Sequence, residues 1–327
     1  MLKNGFLKDY LATVLWLKTR RNVKNKFMEE LKINKHTDTT HSGRENYLIH
    51  IIRWTGIVLI LTFWLFNWML PGLRTHWAFF PLWLGYCLFV SSLVSSRSKS
   101  SLLTSNCWAY LGLFLISIPV WWLFELINLH TQNWFYQGEE YFSKIEFFLL
   151  SSISFSVVIP AVFGTAELVG TFSWVKKLMT GPRFTLYHST GRFMLGTGLL
   201  MMLLIVIWPQ YYFPFVWGSL YLIVESINLK LGYRTLLAHL SQGDWRQIVS
   251  LGLGSLICGF FWELWNYYSY PKWVYRIPYV DFMHVFEMPL LGYLGYIPFA
   301  LELFALYHFA IGITGKDHLD NYVLSGK

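Results

Sequence analysis

The sequence predicts an all-α integral membrane protein: eight transmembrane helices forming two tandem parallel four-helix repeats, preceded by an amphipathic N-terminal helix. Three observations carry that prediction. The 327-residue chain is 55% hydrophobic and 20% aromatic but only 13% charged, where a soluble domain carries roughly a quarter charged residues. Its apolar runs reach about 17–25 residues, the length that crosses a hydrocarbon core as a helix. The same landmarks also recur in the same order in both halves of the chain.

Residues 1–50 form a basic arm. In GFLKDYLATVLWLK, Phe6, Leu7, Tyr10, Leu11, Val14 and Leu15 recur at helical spacing, with Lys3, Lys8 and Lys18 around them. Such a helix lies on an anionic inner leaflet or packs on another protein, and KINKHTDTTHSGREN then reads as a linker. The eight spans run from Trp54 to Pro71, Trp77 to Ser95, Cys107 to Leu126, Ile145 to Phe172, Arg192 to Trp208, Phe213 to Leu229, Ile248 to Trp265 and Met283 to Gly312. Pro160 and Pro298 predict kinks in the fourth and eighth. The first repeat occupies 51–175, a cytoplasmic linker 176–191, the second repeat 192–315 and a cytoplasmic tail 316–327.

Charge orients the bundle. Of 26 Lys and Arg residues, only Arg74, Lys144, Lys272 and Arg276 fall on the side opposite the N-terminus. The positive-inside rule therefore puts both termini in the cytoplasm, with the protein multi-pass in the cell's inner (plasma) membrane. The net charge of +8 is explained by this orientation, so nucleic acid is not expected as a partner. Cys87, Cys107 and Cys258 have no paired spacing and read as buried thiols.

The repeat rests on aligned landmarks. FFPLWLGYCLFV matches YFPFVWGSLYLI, and WWLFELIN around Glu125 matches GFFWELWN around Glu263, pairing Asn128 with Asn266. With one gap, Trp134 and Tyr136 match Trp273 and Tyr275, and Pro160 matches Pro298. Four helices per copy give both halves the same polarity, so the copies are related by an axis along the membrane normal. The seam between them is where polar side chains converge.

Candidate site residues are picked out by the cost of ionisable groups within a span, at least about 2.5–3.5 kcal/mol each on insertion scales. Glu263, His284 and Glu287 form the predicted catalytic set: Glu263 as a buried acid that protonates an apolar substrate, His284 or Glu287 as the counterpart base. His284 and Glu287, spaced i, i+3, are expected to share a face at the start of the last helix. Asn266, Trp273, Tyr275, Arg276, Glu125, Asn128, Glu225 and Glu302 are the expected substrate-binding residues. Structural pairing of Glu263 with Arg276 or Lys272 is the plain alternative. A metal held by Glu263, His284 and Glu287 is a lesser one, since no HExxH, CxxC pair or other diagnostic motif occurs.

In plan, with helical repeats, membrane glutamates and no large soluble domain, the chain resembles the small integral-membrane carotenoid-modifying proteins. No motif of theirs maps onto it, so no residue role comes from that resemblance. The expected function is a membrane-embedded enzyme modifying a lipid or isoprenoid-type substrate by carboxylate acid–base chemistry. The expected partners are the bilayer and an apolar or amphiphilic small molecule. The alternatives are a proton- or cation-coupled transporter using Glu225 and Glu302, and a lipid-binding structural or assembly protein.

Overall fold

A computed structural model describes residues 46–315. The expected amphipathic arm and C-terminal tail lie outside the described residues. The chain divides into two units between Ile51 and Ile52, and of the first the described residues 46–51 are helical. The second unit begins at Ile52 and holds the elements that position the site.

Among the described residues, seven helices are long and apolar enough to cross a membrane, so the chain is a multi-pass helical membrane protein. The long elements are α1 (Asn46–Met69), α2 (Thr75–Ser98) and α3 (Cys107–Thr131). Then come α4 (Lys144–Phe155) with α5 (Val158–Gly170), counted together as one crossing, α6 (Thr190–Ile207), α7 (Val216–Leu231), the short α8 (Leu236–Ser241), α9 (Arg246–Tyr267) and α10 (Tyr296–Ile313). Helix α7 has 16 residues, about 24 Å of rise, and falls short of the roughly 20 that a span needs.

Two expected helices differ in a way that proline explains. The fourth run is broken at residues 156–157, just ahead of Pro160, which has no N–H to continue the ladder. Ser117 of α3 fills the break: its hydroxyl donates to the Phe155 carbonyl at 2.6 Å and accepts from the Ile159 N–H at 3.1 Å. The last run does not begin at Met283. Regular α-helix starts at Tyr296, after a 3-10 segment Leu290–Gly295, so Pro298 sits in a first turn that needs no N–H from it.

His284 and Glu287 are therefore not helical neighbours. His284–Val285 (β3) and Met288–Pro289 (β4) form a small antiparallel hairpin, with Phe286 at a positive φ of 60° in its turn. That corrects the shared helical face expected for the two residues.

The core is aromatic. Trp83 of α2 packs against Trp262 and Trp265 of α9, with ring centroids 5.0 and 4.8 Å apart. Gly254 lets α9 approach α5, since a Cβ there would fall 2.7 Å from the Ala166 backbone nitrogen. Asn67, at the end of α1, donates to the Trp265 carbonyl at 3.0 Å and accepts from the Thr75 hydroxyl at 2.9 Å. The start of α2 and the end of α9 are thereby fixed at the same level.

Candidate functional site

Helices α3 and α9 end in the same local arrangement. Asn128 donates through Nδ2 to the Trp134 carbonyl at 2.8 Å and accepts through Oδ1 from the Asn133 and Trp134 N–H groups at 2.9 and 3.2 Å. Asn266 donates through Nδ2 to the Trp273 carbonyl at 2.6 Å and accepts from the Trp273 N–H at 3.1 Å. Both side chains are buried and tie the chain leaving a helix back onto its last turn. Asn suits this because one amide supplies donor and acceptor together.

The two segments held this way are β1 (Trp134–Gln137) and β2 (Lys272–Tyr275), which pair antiparallel with Trp134 opposite Tyr275 and Tyr136 opposite Trp273. Side chains alternate along a strand, so these four aromatic residues share one face of the ribbon. That face lines a cavity of about 450 Å³, within the 300–1,000 Å³ of ordinary ligand pockets. Trp121 of α3, Trp217 of α7, Trp262 of α9 and Tyr296 and Phe299 of α10 supply much of the remaining wall. Phe147, Ser151, Ser154 and Phe155 from α4 line it as well.

The carboxylates stand behind this wall, not in it. Glu263 is fully buried, and its Oε1 accepts from the phenols of Tyr275 at 2.7 Å and Tyr296 at 2.8 Å. Both phenols line the cavity. Its Oε2 is buried without a hydrogen-bond partner. Trp273 supports the arrangement by donating from Nε1 to the Tyr275 hydroxyl at 2.9 Å. Burial, and then the neighbouring Glu263 carboxyl, hold the Tyr275 phenol well above its ordinary range, so it is a protonated donor at neutral pH.

Glu125 is half-buried and better satisfied. Its Oε1 accepts from Trp121 Nε1 at 2.8 Å and from the Tyr136 phenol at 2.5 Å. Trp134 Nε1 reaches both oxygens, at 3.1 and 3.3 Å. These three donors also line the cavity.

The remaining expected residues lie elsewhere. His284 is exposed and its ring is hydrogen-bonded to Asp281 at 2.8 Å. Glu287 is ion-paired with Lys272, so Lys272 is not the partner of Glu263. Arg276 is exposed, with its guanidinium 5.8 Å from the Phe135 ring centroid, and its backbone N–H donates to the Asn133 carbonyl at 2.7 Å. Glu225 and Glu302 are fully buried and bond backbone through Oε1: Glu225 accepts from the Leu237 N–H at 2.9 Å, fixing α8 on α7, and Glu302 from the Tyr221 N–H at 3.4 Å, joining α10 to α7. The Oε2 of each, like that of Glu263, is buried without a partner among the described residues. None of these carboxyls lines the cavity. Among the described residues no three His, Cys, Asp or Glu side chains gather as a metal site, and Glu263, His284 and Glu287 each bond a different partner.

Three cavity-lining positions escape sequence reasoning: Tyr296, Trp121 and His76. The first two are spaced aromatics in apolar helices, indistinguishable from core. His76, at the start of α2, lines the cavity with its Nδ1 buried and without a partner.

Compared with protein-family models, with curated proteins and with solved structures, the chain matches none of them.

Proposed function

We propose that this protein is a membrane-embedded enzyme that modifies a lipid or isoprenoid-type substrate by proton transfer. One observation carries the reading: the phenols of Tyr275 and Tyr296 face a large aromatic cavity on one side and hydrogen-bond the buried Glu263 on the other. A phenolic oxygen that accepts a proton from the substrate passes its own proton to Glu263 Oε1 along an existing hydrogen bond. The reverse transfer delivers a proton to the substrate. Glu263 is then the proton store, and the tyrosines are the groups in contact with substrate. The indole and phenol π-faces around the cavity favour a cationic centre developing on an apolar skeleton.

The same reading gives the chain eight crossings, with α7 and the helical turns at 209–215 as the sixth, and two parallel repeats at 51–175 and 192–315. The ribbon supports the repeat. When Trp134 is matched to Trp273 and Tyr136 to Tyr275, each tryptophan stands opposite the other half's tyrosine, as a twofold axis between the strands requires. Placement in the cell's inner membrane with cytoplasmic termini rests on the one-sided distribution of Lys and Arg. The transport alternative depends on Glu225 and Glu302. Each has one oxygen on a backbone N–H and the other buried without a hydrogen-bond partner. Neither carboxyl nor its backbone partner lines the cavity, as Tyr275 and Tyr296 do for Glu263, which favours the enzyme.

The test is Glu263→Gln. The variant is expected to insert and fold as the wild type does, while the membrane lipid extract of cells expressing it lacks the product seen with wild type. Identical lipid profiles for the two would overturn the proposal.

A further inference from the structure

Helix α4 presents the cavity with an apolar face interrupted by two hydroxyls. Phe147, Leu150, Ser151, Ser154 and Phe155 line the cavity and recur at i, i+3, i+4, i+7 and i+8, one stripe of the helix. Leu149 and Ile153, on the opposite side, are exposed. Ser151 and Ser154 thus stand in the middle of the cavity-facing stripe, one turn apart. A serine within a helix can satisfy itself on the carbonyl four residues earlier, as Ser152 does on Phe148 at 2.7 Å. Among the described residues neither Ser151 nor Ser154 has such a bond, or any other, for its hydroxyl. Both side chains are half-buried, and their oxygens keep accessible surface.

Asn133, just ahead of β1, is a second place of this kind. It lines the same cavity and is 8% exposed. Its backbone is fixed on both sides, the N–H donating to Asn128 Oδ1 at 2.9 Å and the carbonyl accepting from the Arg276 N–H at 2.7 Å. Its side-chain amide has no partner among the described residues, yet is not shut off from the surface. A buried polar group without a hydrogen bond costs free energy and calls for a partner. The two places lie at different depths. Trp122 of α3 donates from Nε1 to Ser152 at 3.0 Å, which sets the serines about 13 Å of helix rise before the end of α3 at Thr131. Among the described residues Lys272 is the only Lys or Arg in the wall, and Glu287 neutralises it, so neither kind of side chain is free to meet a phosphate or a carboxylate.

We infer that the cavity binds an uncharged lipid or isoprenoid with two oxygen functions, one hydrogen-bonded by the Ser151 and Ser154 hydroxyls and the other by the Asn133 amide. Hydroxyl and amide groups both donate and accept, so alcohol and carbonyl oxygens fit either place. The apolar stretch between the oxygens lies against the aromatic wall. This deepens the enzyme reading and rests on it, because it takes the cavity as the substrate site.

The test is a competition on the purified protein in detergent, read by native mass spectrometry. The protein is offered decanediol with a hydroxyl at each end and decanol with one, at concentrations equalised for uptake into empty micelles. One further satisfied hydrogen bond predicts a preference for the diol of about tenfold. The double variant Ser151→Ala, Ser154→Ala and the single variant Asn133→Leu each remove one place and bring the ratio to about one. A wild-type ratio near one, or a ratio that either variant leaves at its wild-type value, overturns the inference. The wild-type arm decides even if a variant does not fold. Binding is read without turnover, so the two readings fail separately. A diol preference lost in both variants of a protein that converts no lipid would overturn the enzyme reading alone. No preference in a protein that does convert lipid would overturn the two-point site alone.

Discussion

Glu125 and Glu263 each lie three residues before an asparagine that ties down a strand, yet their carboxyls meet different surroundings. Two indoles and a phenol engage both oxygens of Glu125. Two phenols share one oxygen of Glu263, and the other oxygen has none. The cause lies one turn earlier. Four residues before Glu125 stands Trp121, which donates to it; four residues before Glu263 stands Gly259, where a Cβ would fall 2.4 Å from Cε2 of Tyr296. The glycine admits the tyrosine from α10. One scaffold thus presents a satisfied carboxyl, suited to holding the fold, and an under-satisfied one, suited to exchanging protons.

The sharpest way to break this contrast is to make the same substitution at both sites. Glu263→Gln is expected to lower turnover at least about 100-fold, the ordinary reach of a general acid–base group, while Glu125→Gln stays within about threefold of wild type by the same measure. Equal losses would show that the two sites do the same work. Gly259→Ala comes next. Its methyl group displaces Tyr296 and is expected to reduce turnover by about ten- to a hundredfold, since a misplacement of about 1 Å can cost that much. Unchanged rates would remove Tyr296 from the relay.

Where the halves agree, the substitutions should agree too. Asn128→Ala and Asn266→Ala each strand buried backbone groups and are expected to destabilise by about 1–3 kcal/mol, read by thermal unfolding in detergent. A large inequality between them would argue against equivalent roles. The smallest effect is expected from His284→Ala. His284 pairs with Asp281 at the surface, and such a pair contributes about 0–1 kcal/mol, so turnover should stay within about twofold. A large loss would bring His284 back into the chemistry.

The sequence carries the helices openly, because an apolar run long enough to span hydrocarbon has few other uses. It carries the ribbon more faintly: WFYQ and KWVY are β-prone aromatic segments between helices, but aromatic belts at helix ends look the same. The hairpin at His284 is hidden because its φ of 60° falls on Phe286 and that of 53° on Met283, not on the Gly or Asn that would mark a turn. Without that mark, HVFE reads as an i, i+3 helical pair. Glu125, Glu263, Asn128 and Asn266 stand out because polar groups are costly within apolar helices. His76 does not, since it lies at a helix start where a polar residue costs nothing, and only the three-dimensional structure shows its nitrogen unsatisfied.

Native mass spectrometry of the purified wild type, Glu263→Gln and Ser154→Trp proteins tests the cavity most directly, because Ser154 lines it and an indole there fills it. An apolar adduct is expected on the wild type and on Glu263→Gln, and none on Ser154→Trp. No adduct on the wild type, or one that Ser154→Trp retains, would contradict the account.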